Sequence, residues 1–180
     1  MGNERIKLSG GFCIMLALML LLVPIKWLAA AMIAAVFHEL CHYLAIRACC
    51  GACVGVKLYA IAAYLPLPRM SRGREVVCAL AGPIGGLCLL SLARWMPRIA
   101  LCAAMQSAYN LLPIYPLDGG RALQSGLVLF FPPPISVGIC RYFEILSKML
   151  VILLAVYGCF VLKLGIFPVL MALLLLIRVK

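Results

Sequence analysis

This chain contains only two histidines, His38 and His42, and they stand four residues apart with Glu39 beside the first. On a helix, side chains at i and i+4 lie one turn apart on one face, so both imidazoles can reach a single metal ion. H-E-x-x-H is the spacing in which two histidines hold zinc and the intervening glutamate serves as base toward a metal-activated water. The other reading is a buried helix whose histidines only pack and hydrogen-bond. It leaves two imidazoles and a carboxylate to be compensated inside a strongly apolar stretch.

A catalytic zinc takes three protein ligands and keeps one position open. Besides Glu39, the acidic residues are Glu4, Glu75, Asp118 and Glu144. Glu4 lies in the N-terminal tail. Glu75 precedes an apolar span, where the start of a helix accommodates a carboxylate. Glu144 has Arg141 and Lys148 at helical spacing, which makes it a salt-bridged position. Asp118, in Asn110-Leu111-Leu112-Pro113-Ile114-Tyr115-Pro116-Leu117-Asp118-Gly119-Gly120-Arg121, is the expected third ligand. Its alternative role is to cap a D-G-G turn. Asn110 is an amide donor toward substrate or oxyanion, or a polar contact between helices. Cys41 is a packing residue, because simultaneous ligation beside His42 is awkward. Cys50 and Cys53 form a C-x-x-C that no second pair completes, so it reads as incidental.

The elements that position these residues are membrane spans. The chain is 67% hydrophobic and 12% charged, with mean hydropathy +1.17. Its apolar runs predict an all-α polytopic membrane protein in one domain over 1–180, with six transmembrane helices near 10–25, 27–46, 76–95, 98–112, 140–162 and 164–178. The first run, which follows Arg5 and Lys7, is read as a retained span and not as a signal peptide. Between the second and third spans, glycines, β-branched residues and aromatics predict a short membrane-associated strand or β-hairpin around Val54–Tyr64. Pro83 should bend or open the third span. Gly82, Gly85 and Gly86 either let helices approach closely or act directly at the site. A short helix is expected over 121–131, stopped by Pro132, Pro133 and Pro134.

The net charge of +11 does not mark a nucleic-acid surface, because the basic residues punctuate the apolar runs. With six spans and a cytoplasmic N-terminus, Arg5, Lys7, Arg47, Lys57, Arg69, Arg72, Arg74, Arg121, Arg141, Lys148, Arg178 and Lys180 fall inside. Only Lys26, Arg94, Arg98 and Lys163 fall outside. That bias predicts a multi-pass cell-membrane protein with both termini cytoplasmic. It brings the histidine pair and Asp118 toward the cytoplasmic side.

Three segments carry a family resemblance: His38-Glu39-Leu40-Cys41-His42, Ala81-Gly82-Pro83-Ile84-Gly85-Gly86, and Asn110–Arg121. In content and order they resemble the signature segments of the site-two protease family of intramembrane zinc metalloproteases. The likeness covers a catalytic core of about 8–125 and is nearest the compact six-span group that includes stage IV sporulation protein FB; residues 140–178 would be accessory spans. The resemblance implies a buried zinc held by His38, His42 and Asp118, with Glu39 as base. It also implies hydrolysis of a membrane-associated or transmembrane protein within the lipid bilayer; a regulatory membrane protein is a further expected partner. Such members commonly have glycine at the place of Cys41 and often asparagine at the place of Gly86. A transporter or other metal-binding membrane protein would also bury His, Glu and Asp, and a non-catalytic scaffold descended from a protease is a second alternative.

Overall fold

A computed structural model describes residues 7–8, 23–50, 57–58, 63–64, 70–160 and 163. The described residues form five α-helices: α1 (Ile25–Cys50), α2 (Arg72–Cys88, extended by a 3-10 turn over Leu89–Leu92), α3 (Pro97–Asn110), α4 (Asp118–Phe130) and α5 (Pro133–Phe160). Three two-residue strands accompany them. β1 (Lys7–Leu8) pairs in parallel with β2 (Lys57–Leu58), which pairs antiparallel with β3 (Ala63–Tyr64). Pairs this short do not establish a membrane-associated hairpin, and most of the segment expected to form one lies outside the described residues.

Among the described residues, three helices are long and apolar enough to cross a membrane: Ile25–Cys49, Arg72–Leu92 and Pro133–Phe160. They correspond to the expected second, third and fifth spans with shifted ends. Six spans are not established. The expected sixth span and nearly all of the first lie outside the described residues, and the fourth is the 14-residue α3. At 1.5 Å per residue α3 rises only about 21 Å, less than a hydrocarbon core of roughly 30 Å.

The chain divides into two compact units, 1–109 and 110–180. In the first, α1 packs chiefly on α2. Ala30, Ala34, His38, His42 and Ile46 follow one another at i+4 and are all buried. Ile33, Val36, Leu40 and Leu44, on other faces of the same helix, are exposed. Small and polar residues inside with large apolar ones outside invert the pattern of a water-soluble protein and suit lipid contact. On α2, Cys78, Ala79, Gly82, Pro83 and Gly86 are buried; Gly82 meets His42 of α1, and Gly86 meets Ser107 of α3. The helix continues through Pro83, where the sequence suggested a bend or an opening. Pro97 opens α3, a position where the missing N–H has no helical partner to lose. Ala34, Leu89 and Ala103 form the small core joining α1, the 3-10 turn and α3.

The second unit is organised by the 111–117 loop. Ile114 and Leu117 are its buried core, packed against Leu112 and Val151. A helix over 121–131 leaves Asp118 outside it. Instead Asp118 is the first residue of α4, which starts three residues earlier than the sequence suggested. Gly119 and Gly120 do not make a turn there. An added Cβ would lie 2.1 Å from the Leu111 carbonyl oxygen at Gly119 and 2.5 Å from the Ile114 carbonyl carbon at Gly120. The loop backbone therefore lies directly on the first helical turn. After Phe131, Pro132 stops α4 and its carbonyl accepts from the Ile135 and Ser136 amides at 3.1 Å, so the proline run also starts α5. That helix begins well before the expected 140.

Candidate metal centre

His38 is 2% exposed and His42 8%, one turn apart on the α1 face that meets α2. Nδ1 of His42 donates to the Cys78 carbonyl oxygen at 2.7 Å. A carbonyl only accepts, so Nδ1 carries the proton and Nε2 presents its lone pair. The two Nε2 atoms face each other at 3.1 Å. Two imidazole nitrogens on one tetrahedral zinc, each about 2.0–2.1 Å from it, would be about 3.3 Å apart. The separation of the pair is therefore close to that of two ligands on one cation.

Glycine is required opposite this pair. A Cβ at Gly82 would lie 2.2 Å from Nε2 of His42 and within 2.7 Å of two further ring atoms. One at Gly85 would lie 2.3 Å from Sγ of Cys41. One at Gly86 would lie 2.2 Å from Oγ of Ser107, a fully buried hydroxyl. Cys41 and Gly86, where the chain differs from the signature segments it resembles, thus have separate local explanations. The larger Cys41 faces a glycine, and Ser107 fills the space that a side chain at 86 would need.

Asp118 is buried, at 9% exposure, in the first turn of α4. A carboxylate is favoured at a helix N-terminus, where backbone N–H groups have no helical acceptor. His38, His42 and Asp118 form a group that could hold a metal ion: one ligand atom from each lies within 4.8 Å of the others. Two imidazoles and one carboxylate are an ordinary zinc ligand set. Glu39 follows His38 on α1 and is half-buried; Asn110 closes α3 and is also half-buried.

The other acidic candidates are accounted for locally. Glu75 accepts from Nη1 of Arg72 at 3.0 Å in the first turn of α2. Glu144 pairs with Lys148, one of the two partners expected from the sequence. Cys49 is a free thiol packed beside Ile46 and Cys78, while Cys53 lies outside the described residues. The Cys78 carbonyl was invisible to sequence reasoning, because a backbone oxygen leaves no mark in the residue type. The buried hydroxyl of Ser107 could have been noticed only as a polar interruption of an apolar run.

No protein-family model matches the chain, and no curated protein does. Among solved structures, the Site-2 Protease from Methanocaldococcus jannaschii superposes with a TM-score of 0.63 at 21% identity, covering 93% of this chain and 85% of that one. At this identity the match speaks for the backbone alone: the chain has the fold of that protease.

Proposed function

We propose that this protein is a zinc-dependent endopeptidase of the membrane that hydrolyses a peptide bond in a membrane-associated or transmembrane protein near its cytoplasmic boundary. The observation that carries the reading is the buried His38–His42–Asp118 group, with Glu39 on the same helix as the two histidines. The fold shared with a site-2 protease supports it, and so does the apolar outer surface of the helices. Cytoplasmic sidedness rests on the distribution of basic residues.

His38, His42 and Asp118 would hold the metal, with His42 kept in its Nδ1–H tautomer by the Cys78 carbonyl. Bound there, zinc supplies a Lewis acid and a water of lowered pKa. Glu39, next to His38 on α1, would act as the general base that takes a proton from the attacking water and returns it to the leaving amine. Asn110 donates its amide to the substrate backbone. The scissile segment must be unwound before attack, because a continuous helix hides its carbonyls in hydrogen bonds.

The test compares membrane proteomes of cells carrying wild-type protein and Glu39→Gln. A precursor should accumulate only with the variant, and purified wild-type protein should cut it near its cytoplasmic boundary. Glu39→Gln should keep its zinc and lose cleavage. A transporter would instead show no precursor, and unaltered cleavage by the variant would reject Glu39 as the base.

A further inference from the structure

We propose that the groove between α4 and α5 holds the headgroup of an anionic glycerophospholipid, anchored by Arg141. The groove has a volume of about 590 Å³ and lies wholly within the 110–180 unit. Tyr115 of the loop, Gln124 of α4, and Arg141, Glu144, Ile145 and Lys148 of α5 contribute to its walls. The three proposed metal ligands and Glu39 do not line it.

Charge selects the occupant. Glu144 and Lys148 pair with each other and cancel. Arg141 is left, and among the described residues no hydrogen bond or ion pair engages its guanidinium, the Gln124 amide or the Tyr115 hydroxyl. The groove therefore offers one net positive charge, a fork of N–H donors and two neutral polar groups. A single phosphodiester matches that set, since guanidinium binds phosphate oxygens in a bidentate manner.

The surroundings favour a lipid as the source of the phosphodiester. On α5, Tyr142 is 66% exposed, Ile145 51% and Met149 64%, so an apolar surface runs from the rim of the groove along the helix. From Arg141 to Phe160 the helix rises about 28 Å, close to the thickness of one hydrocarbon core. With Phe160 at one edge of that core, Arg141 stands in the headgroup layer at the other. A free phosphate would leave the apolar flank unused, and a multiply acidic peptide would meet Glu144. The inference rests on the membrane reading of α5 and not on the proteolytic one.

The full chain, purified in detergent and stripped of lipid, is titrated with phosphatidylglycerol or phosphatidylcholine and followed by native mass spectrometry. Phosphatidylglycerol should be retained at least about fivefold more tightly, the preference one basic residue confers at an anionic bilayer surface. Arg141→Gln should abolish that preference, Arg141→Lys should retain most of it, and Arg94→Gln, at an exposed arginine of the other unit, should leave it intact. Zinc content should be equal in all four proteins. Equal retention of the two lipids by the wild type, or an undiminished preference in Arg141→Gln, would overturn the proposal. Displacement of phosphatidylglycerol by millimolar inorganic phosphate would assign the groove to a free anion and overturn the lipid.

Discussion

Nδ1 of His42 and the carbonyl oxygen of Cys78, 2.7 Å apart, join the histidine helix to the glycine-bearing helix. This bond fixes the ring's tautomer and rotation together, so that Nε2 meets Nε2 of His38. Space for the ring comes from Gly82, one turn along α2 from Cys78. A backbone acceptor and a missing side chain on one helix thus set which His42 nitrogen faces His38 on the other.

Gly82→Ala tests that dependence. The added methyl has no room beside the ring, so His42 must rotate or α1 and α2 must separate, at a cost of about 1–3 kcal/mol for overpacking. Zinc content should fall sharply, and the thermal unfolding midpoint in detergent should drop. Gly73→Ala, at a position with nothing within 4 Å, should keep its metal. Full zinc content in Gly82→Ala would show that the ring does not need this glycine.

Cys41 and Gly85 should be energetically coupled, because Sγ lies 2.3 Å from where a Cβ at 85 would stand. Gly85→Ala alone should destabilise the protein, and Cys41→Gly alone should cost about 0.3 kcal/mol of helix propensity. The double variant should be more stable than the sum of the two losses predicts, by at least about 1 kcal/mol. Unfolding midpoints of the four proteins close the cycle, and simple additivity would reject direct contact.

Asp118→Ala should lower zinc affinity by more than the roughly 10–100-fold carried by outer-shell partners. Glu75→Gln and Glu144→Gln should leave affinity unchanged, since each carboxylate is occupied by a basic residue of its own helix. Competition with a chelator measures all three. Wild-type affinity in Asp118→Ala would remove that residue from the ligand set.

Sidedness is open to labelling in a background without native cysteines. A cysteine at Met70 should react from the cytoplasmic side and one at Met96 from the opposite side, following the positive-inside bias. The reverse pattern would invert the proposed orientation, and with it the side on which a substrate is cut.

The sequence by itself determined which residues could hold a metal. H-E-x-x-H puts two imidazoles on one side of any helix, because i and i+4 share a face whatever surrounds them. Scarcity did the rest, since five acidic residues left few candidates, of which Glu75 stood at a helix start and Glu144 had helical partners in sequence. It also marked the apolar helices, because lipid selects composition over a whole span. Only the tertiary structure decided what the glycines do. Ala81–Gly86 reads equally as packing or as part of the site, and contact with the His42 ring distinguishes the two. Asp118-Gly119-Gly120 reads as a turn, yet the glycines admit loop backbone and Asp118 opens a helix. A glycine records that a side chain is absent. What approaches the space it leaves comes from elsewhere in the chain, and only folding brings that neighbour into place.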